Sequence, residues 1–308
     1  MTPPATRLPN FFIAGAPNAG TTSLYFYLQQ HPQVYMSPVK EPRYFGAGEF
    51  FAERGGRDPD RYVARRHSFL QKLLQGTPRP LTWDAYLELF RDAQNEIAVG
   101  EASVGYLVLP AAAGAMRSRV PNARIIFLLR DPAEWLHTRY VATVSRFPRA
   151  SFSQRFRAAL NPQDGWAPAL AVVRYATNLQ RFYDVFPREQ LQIHLYEDFR
   201  SDAGAVVRDM LGFLGVDPEY PIDVSHRHNP TVVPRFAALE TLRRWALRYL
   251  PVTWLPPGVR GTLKRLYYRR RPPLVMDPAD RALVIDHYRD EILRTSELIH
   301  RDLSAWLR

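Results

Sequence analysis

The strongest constraint on the fold comes from a glycine-rich turn near the start of the chain. A short apolar run at 11–14 (FFIA) is followed by GAPNAGTTSL at 15–24. This order is typical of the strand–loop–helix unit that binds phosphate groups, in which an apolar strand is followed by glycines and then by small hydroxyl residues that begin a helix. The sequence therefore predicts a buried strand, a tight turn and a helix in direct succession.

The spacing of the glycines shows how this turn departs from a nucleotide-hydrolysing loop. Gly15 and Gly20 bracket four residues, as in GxxxxGK[ST], but Thr21 occupies the lysine position. That lysine cradles the terminal phosphates of ATP or GTP, so its absence argues against a hydrolase. Backbone amides at a helix start still bind an anion, and the hydroxyls of Thr21, Thr22 and Ser23 add donors. The alternative is a glycine-rich turn that binds nothing.

Strand-like and helix-like segments alternate along much of the chain. The apolar run IIFLL at 125–129 has the pattern of a strand buried on both faces. This alternation predicts an α/β fold, with a P-loop-like central parallel sheet flanked by helices, in a single domain spanning 1–308. Ligands bind such sheets beyond the carboxyl ends of the strands, where Gly15, Glu101 and Arg130 fall. The predicted strands are 11–15, 97–103, 123–130 and 191–198, and the predicted helices are 22–30, 83–91, 132–147, 167–185 and 203–214.

The balance of charge narrows the class of ligand. The formal net charge is +11, and only three of the 41 basic residues are lysines: Lys40, Lys72 and Lys264. The planar guanidinium group of arginine suits phosphate and sulfate groups, and a basic surface favours anionic partners. The alternative is an arginine-rich surface that is merely solvated. The chain has no cysteine, and its eight histidines show no metal-ligand spacing, so we expect neither disulfides nor a metal.

The start of the chain and its hydropathy predict a cytoplasmic protein. MTPPATRLPN is polar and proline-rich and lacks the regions of a signal peptide, and no apolar stretch reaches the length of a membrane span. Residues 232–276 are rich in Arg, Trp, Tyr and Pro, which predicts a basic-aromatic helical flap over an acceptor site. A membrane-surface segment and an ordinary helix pair with solvated arginines are the alternatives. Residues 278–307 predict one long amphipathic helix with a short tail.

The first motif resembles that of the sulfotransferases that use 3′-phosphoadenylyl sulfate (PAPS). The stretch GAPNAGTTSLYFYLQQHPQVYMSPVKEPRYF at 15–45 is similar to the segment in which these enzymes carry PKxGTT, the loop that holds the 5′-phosphosulfate of the donor. The pattern is matched except that Asn18 replaces its lysine. The resemblance implies that the donor nucleotide is held by Pro17, Asn18, Ala19, Gly20, Thr21, Thr22 and Ser23.

A second motif, LLRDPAEWLHTRY at 128–140, resembles the family's binding site for the 3′-phosphate of the donor. In the family an arginine and, eight residues on, a serine bind this phosphate. Arg130 and Thr138 fill these places, and threonine keeps the hydroxyl donor. Further family-like segments lie at 100–107 (GEASVGYL), 196–218, 269–277 and 297–307, so the resemblance spans nearly the whole chain.

Two lysines of the family are replaced in this chain. Asn18 stands in the first motif, and Ala102 stands where many relatives carry lysine in the segment similar to GEASVGYL. Related enzymes carry a basic loop over the donor at the position of RRRPPLVMD, 269–277. The resemblance therefore implies that Arg270 and Arg271 contact the donor, and arginines of this segment are candidates to compensate for the lost charge.

Glu41, in KEPRYF, matches the glutamate that serves as general base in the family's carbohydrate sulfotransferases. Sulfuryl transfer moves a sulfonate in line onto an acceptor oxygen or nitrogen, and a positioned carboxylate takes the acceptor proton. Lys40 is a candidate for the positive charge that position 18 lacks. Neighbouring residues of a strand point to opposite faces, however, so Lys40 and Glu41 need not share a site. The alternative is that Glu41 forms a surface salt bridge.

Other polar residues are expected to be structural. We expect His31 to end the first helix and His137 to pack. Tyr175, beside Arg174, is expected in the core rather than against an adenine ring. The HRHN stretch at 226–229 echoes a short family motif near the acceptor site, and we expect a polar turn there.

Four hypotheses about function follow from these patterns. The first is a cytoplasmic sulfotransferase that binds PAPS, needs no metal and transfers a sulfonate to a hydroxyl or, as second choice, an amine. The acceptor could be a small molecule, a glycan, a lipid or a tyrosine, and no nucleic-acid partner is expected. The second hypothesis is a non-catalytic relative that binds the nucleotide. The third is a protein that binds phosphate, nucleic acid or a membrane surface. The fourth is a kinase, but the phosphate-binding lysine expected in its loop is absent.

Overall fold

A five-stranded parallel sheet forms the centre of the protein in a computed structural model. The structure describes residues 7–46, 82–143, 150–226 and 275–308, together with the backbone of 232–234 and 268–270. The strands of the sheet are β1 (Phe11–Gly15), β2 (Val34–Met36), β3 (Ala98–Ala102), β4 (Arg124–Leu129) and β5 (Leu191–Leu195). Their order is β2-β3-β1-β4-β5, and every neighbouring pair is parallel. The predicted α/β class is confirmed.

The two most apolar strands take the central places in the sheet. Every residue of β1 is buried, and β4 is fully buried from Ile125 to Leu129. Such strands are stable only where helices cover both faces of a parallel sheet. Ile13 of β1 pairs with Ala102 of β3 on one side and with Ile126 of β4 on the other, so the carboxyl ends of the three strands lie at one edge.

Helices cover the sheet and connect its strands. The last and longest of them, α10, packs against α7 and α4, and its Tyr288 hydroxyl donates to the carbonyl of Leu170 at 2.9 Å. Short 3₁₀ turns occupy Glu88–Phe90, Tyr106–Val108, Arg188–Gln190 and Ser304–Leu307. The described α-helices are α1 (Thr21–Leu28), α2 (Trp83–Leu87), α3 (Ala112–Arg119), α4 (Pro132–Thr143), α5 (Phe152–Ala159), α6 (Ala167–Val172), α7 (Tyr175–Tyr183), α8 (Tyr196–Ser201), α9 (Ala203–Leu214) and α10 (Pro278–Ile299).

Two predicted elements are wrong in extent. The strand predicted over 191–198 ends at Leu195, and the chain turns at once into α8. The helix predicted over 167–185 is two helices, because Val173 and Arg174 leave helical geometry between α6 and α7. Strand β2 was not predicted, since three residues are too few to show a pattern. The long helix predicted within 278–307 is α10, which ends at Ile299 where His300 adopts φ 52°, and the predicted short tail follows it.

Most of the segment predicted as a helical flap, 232–276, lies outside the described residues. Within it the structure describes an antiparallel pair of short strands, β6 (Val232–Pro234) and β7 (Tyr268–Arg270). These six residues are therefore strand and not helix, which corrects the prediction for them. Among the helices that the structure describes, none is both long and apolar enough to span a membrane.

Candidate active site

The two glycines of the loop after β1 are required by their surroundings. Gly20 has φ +89°, and a Cβ there would lie 3.1 Å from the ring of Phe199 and 3.3 Å from that of Tyr196. A Cβ on Gly15 would lie 2.7 Å from the side chain of Leu107. Gly20 is needed because other residues rarely adopt this left-handed conformation, and Gly15 is needed because any side chain there would collide with Leu107. The residues that bracket the loop in sequence therefore also fix its path.

The loop between these glycines is held by the second motif. The indole Nε1 of Trp135 donates to the carbonyl of Pro17, and Arg130 Nη1 donates to the carbonyl of Asn18 at 3.4 Å. Ala19 is fully buried, whereas Asn18 is exposed. The two motifs, more than a hundred residues apart in sequence, are thus in direct contact. Asn18, which replaces the family's lysine, is exposed on the loop.

Helix α1 begins directly after the loop. Its N-cap is Gly20, and no described side chain caps its first turn. Thr21 and Ser23 are buried, and Thr22 is half-buried. The first amides of a helix carry partial positive charge and need acceptors from outside the helix. The helix start and the Thr22 hydroxyl therefore form a suitable site for an anion.

Arg130 lies where β4 ends and is tied into the site on several sides. Its guanidinium carbon lies 4.6 Å from the centre of the Tyr196 ring, and its Nη2 lies 3.1 Å from the Glu134 carboxylate. Its carbonyl accepts a hydrogen bond of 2.9 Å from the Tyr175 hydroxyl. The side chain is only 15% exposed. A partly buried arginine beside the start of a helix favours binding of a second anionic group.

Thr138 lies on α4 one helical turn beyond Glu134. Residues four apart share a helix face, so Thr138 lies on the face whose Glu134 pairs with Arg130. Arg200, on α8, reaches the same carboxylate at 4.0 Å. Glu134 thus lies between two guanidinium groups, as an anionic ligand of this site would. The structure thus brings Arg130 and the loop together, and Thr138 lies on the face of α4 that carries Glu134.

Glu41 lies beyond β2 in a tight, irregular turn. Glu41 and Arg43 both adopt left-handed backbone conformations, with φ 64° and 57°. Lys40 Nζ lies 3.3 Å from Glu41 Oε1, and Arg43 Nη2 pairs with Oε2 of the same carboxylate. The three side chains are 15–20% exposed. Because the backbone is not a strand here, Lys40 and Glu41 do share a site, contrary to the doubt raised by strand geometry.

The charges around Glu41 decide its protonation. Burial acts to raise the pKa of Glu41, but the positive charges of Arg43 and Lys40 and their hydrogen bonds outweigh it, and the pKa is lowered. The group is therefore a carboxylate throughout the neutral range, which a general base requires. Arg43 is a residue that sequence reasoning missed. The only feature of the sequence that could have indicated its role is its place two residues after the candidate base.

The sheet fixes the separation of Glu41 from the donor loop. The amide of Glu41 donates to the carbonyl of Ala102 at 2.9 Å, and Ala102 pairs with Ile13 of β1. Two strand spacings, about 10 Å, therefore separate the Glu41 backbone from β1. Ala102 itself is fully buried. A long side chain at that position would have to displace core atoms.

A buried carboxyl group, Glu101, lies beneath the Glu41 turn. It is 0% exposed, and its Oε1 accepts hydrogen bonds from the hydroxyls of Tyr106 at 2.6 Å and Tyr86 at 3.4 Å. Burial is the main cause that raises its pKa to about 7; the hydrogen bonds from Tyr106, Ser103 and Tyr86 oppose that effect. The sequence marks Glu101 only as a strand-end residue.

The histidines and Tyr175 take structural places. His31 is buried, and its ring accepts from the amide of Gln33 and contacts the carbonyl of Asp217 at 3.0 Å. His137 packs beside the rings of Tyr140 and Phe152. Tyr175 is 1% exposed and lies in the core, as predicted. In the described part of the chain no group of acidic residues and histidines is arranged to hold a metal ion.

Some predicted residues lie outside the described side chains. Only the backbone of Arg270 is described, in β7, and Arg271 is outside the described residues, as are 227–229 of the HRHN stretch. Sequence reasoning also missed Glu134 and Tyr196. An arginine followed four residues later by a glutamate at the start of a helix is the signal that could have identified the first.

Comparisons with known proteins identify the family to which the chain is similar. A family model described as "Sulfotransferase family" matches residues 9–220. A crystal structure of a sulfotransferase from Alicyclobacillus acidocaldarius superposes with a TM-score of 0.70 at 31% identity, covering 98% of this chain and 100% of that one. Bifunctional heparan sulfate N-deacetylase/N-sulfotransferase 4 of Mus musculus is 27% identical over 314 residues, and carbohydrate sulfotransferase 15 of Homo sapiens is 27% identical over 258 residues.

These curated relatives are longer proteins. The match covers 98% of this chain but 31% of the mouse protein, and 68% of this chain but 44% of the human protein. The chain therefore spans less than half of the length of either relative.

Proposed function

Because this chain belongs to the sulfotransferase family of PAPS-dependent enzymes, we propose that it transfers a sulfonate group from PAPS to a hydroxyl group of an acceptor. The observation that carries the proposal is the contact between Arg130 and the Asn18 carbonyl at 3.4 Å, which joins the two donor motifs into one site. A site that bound only one phosphate would not need both motifs. Adenosine 3′,5′-bisphosphate carries one phosphate for each.

The donor would occupy the end of the sheet above β1 and β4. The helix start and the hydroxyls of Thr21, Thr22 and Ser23 bind its 5′-phosphosulfate, and Arg130 with Thr138 binds its 3′-phosphate. The phosphate takes the place that the Glu134 carboxylate has beside Arg130, since one guanidinium edge cannot face both anions. Arg270 and Arg271 are proposed to cover the donor.

Glu41 would act as the general base of the transfer. The acceptor oxygen attacks the sulfur of PAPS, the bond from sulfur to the bridging oxygen breaks, and the acceptor proton passes to Glu41. The products are a sulfate ester, the bisphosphate and a protonated Glu41. Lys40 and Arg43 keep the carboxylate ionised before this step and stabilise its negative charge.

An amine acceptor is the second candidate. It is favoured by one observation, the similarity over 98% of this chain to proteins named N-deacetylase/N-sulfotransferase. The proton balance is the same, because Glu41 would take a proton from nitrogen in place of oxygen. Acceptor panels that contain matched alcohols and amines distinguish the two.

Two measurements test the proposal. Calorimetry should show that adenosine 3′,5′-bisphosphate binds more tightly than ATP, because ATP lacks the 3′-phosphate. Transfer of labelled sulfonate from PAPS to a mixed panel of acceptors should occur with the wild type and be lost in Glu41→Gln, while bisphosphate binding is unchanged. Glu219→Gln is a matched control, since Glu219 is an exposed carboxylate that pairs with Arg208 of α9. Equal affinity for ATP and bisphosphate would contradict the donor assignment.

A further inference from the structure

The turn that carries Glu41 is attached to the chain after β3 by a regular set of hydrogen bonds. We call residues 40–45 the base loop. The amide of Glu41 donates to the carbonyl of Ala102 at 2.9 Å, and the amide of Arg43 donates to the Ser103 hydroxyl at 3.0 Å. Every second amide of the loop, including that of Phe45, is thus held by the segment 102–106.

The third of these bonds ends on a tyrosine hydroxyl. The amide of Phe45 donates to the hydroxyl oxygen of Tyr106 at 3.4 Å, and that hydroxyl lies 2.6 Å from Glu101 Oε1. A tyrosine hydroxyl has one proton. Because the Phe45 amide supplies its own proton, the Tyr106 proton must be donated to Glu101. The carboxyl group therefore fixes the direction in which Tyr106 faces the base loop.

Packing holds this pair of residues firmly. Both Glu101 and Tyr106 are fully buried. The ring of Phe45 lies 5.8 Å from that of Tyr106 and 5.6 Å from that of Tyr86, and Phe12 of β1 lies 5.5 Å from Phe45. A hydrogen bond surrounded by aromatic rings has no competing water, so its loss leaves the partner group unsatisfied.

We propose that Glu101 and Tyr106 are positioning residues for the reaction, because together they hold the end of the base loop and so place the Glu41 carboxylate against the acceptor. This inference depends on the proposed role of Glu41 as general base. It gives a function to Glu101 and Tyr106 of GEASVGYL at 100–107, a family-like segment to which the proposed reaction assigns no other role. Neither residue touches the reacting atoms.

The chain supplies a matched control in Tyr86. Its hydroxyl bonds the same Glu101 oxygen at 3.4 Å, and it is as fully buried as Tyr106, but it makes no hydrogen bond to the base loop among the described residues. Tyr106→Phe and Tyr86→Phe both delete one buried hydroxyl from Glu101. Only Tyr106→Phe also releases the amide of Phe45.

The test compares the two variants by turnover, ligand binding and amide exchange. We expect Tyr106→Phe to lower kcat by about tenfold to hundredfold, since a displacement of about 1 Å in a catalytic group has effects of this order. Bisphosphate affinity should stay within about twofold of wild type. Tyr86→Phe should keep most of kcat at a similar loss of thermal stability. Glu101→Gln keeps an acceptor oxygen for Tyr106 and should preserve most of kcat.

Hydrogen exchange gives a readout that does not depend on activity. The amide of Phe45 should exchange faster in Tyr106→Phe and at the wild-type rate in Tyr86→Phe. Equal kcat and equal exchange in the two variants would overturn the inference even if the wild type transfers sulfonate. Faster exchange in Tyr106→Phe alone, in a wild type that transfers no sulfonate to any acceptor, would instead contradict the proposed function while the attachment of the loop stands.

Discussion

Replacement of Glu101 by glutamine should remove a specific pH dependence from the stability of the protein. Glu101 is fully buried beside Tyr86 and Tyr106, and burial raises its pKa from 4.5 to about 7, with the charge of Glu41 adding a smaller effect in the same direction. Glutamine has nearly the same shape and keeps an acceptor oxygen for the tyrosine hydroxyls, but it does not titrate in this range.

The magnitude follows from the two pKa values of Glu101. The folded state holds the proton more tightly than the unfolded state, so the stabilising contribution is complete below pH 4.5 and is lost as the pH rises through about 7. Between pH 5 and pH 8 the wild type should lose about 2 to 3 kcal/mol of stability through this group alone. The Glu101→Gln variant should not lose stability in this way, because glutamine does not titrate.

The assay is denaturant unfolding of both proteins at several pH values from 5 to 8. The quantity to compare is the free energy of unfolding of the wild type minus that of Glu101→Gln, because other titrating groups cancel in this difference. It should fall by about 2 to 3 kcal/mol from pH 5 to pH 8. Glu219→Gln, which changes a carboxyl group on an exposed side chain, reports the effect of a surface substitution in the same assay. A difference that is constant with pH would refute the reasoning.

Three further substitutions test the site. Arg130→Ala should weaken bisphosphate binding in calorimetry by about 1.5 to 3 kcal/mol, the range for a charged hydrogen bond, and leave the fold intact; an unfolded variant would show that Arg130 is structural. Asn18→Lys should raise turnover more than donor affinity, because Lys40 and Arg43 are engaged by Glu41 and a cation on the loop would stabilise the leaving group; unchanged or lower turnover would mean that another cation already serves. Arg43→Gln removes a charge that lowers the pKa of Glu41, so the acidic limb of the pH–rate profile should move to higher pH; a limb that stays in place would separate Arg43 from the base.

The central part of the fold is predictable because its sequence signals are strong and local. Unbroken apolar runs at 11–14 and 125–129 have no other place than the middle of a covered sheet, and both became central strands. The strand predicted over 191–198 is too long by three residues, because no glycine or proline directly follows Leu195 to mark its end in the sequence. Helix α8 begins there with Tyr196, whose ring and that of Phe199 pack over Gly20 of the loop, a tertiary contact that the local sequence does not contain.

The candidate site shows the same division between local and tertiary signals. The loop and Arg130 are predictable, since glycine spacing and a strand-end arginine are features of sequence. The cluster of Lys40, Glu41 and Arg43 is not, because it depends on left-handed backbone conformations at two residues that are not glycine. Such conformations are disfavoured locally and are stabilised by the hydrogen bonds to Ala102 and Ser103.

The place of β1 in the middle of the sheet has an energetic consequence. The base loop is attached outside β3, and Arg130 follows β4, so β1 and its neighbours separate them by about three strand spacings, or about 14 Å. Sites farther apart than about 10 Å that share no partner usually contribute independently to the free energy. In a double-mutant cycle, the effects of Tyr106→Phe and Arg130→Ala on the free energy of unfolding should therefore be additive. Under the proposed function, the segment that positions Glu41 can then diverge without a change in the proposed nucleotide site.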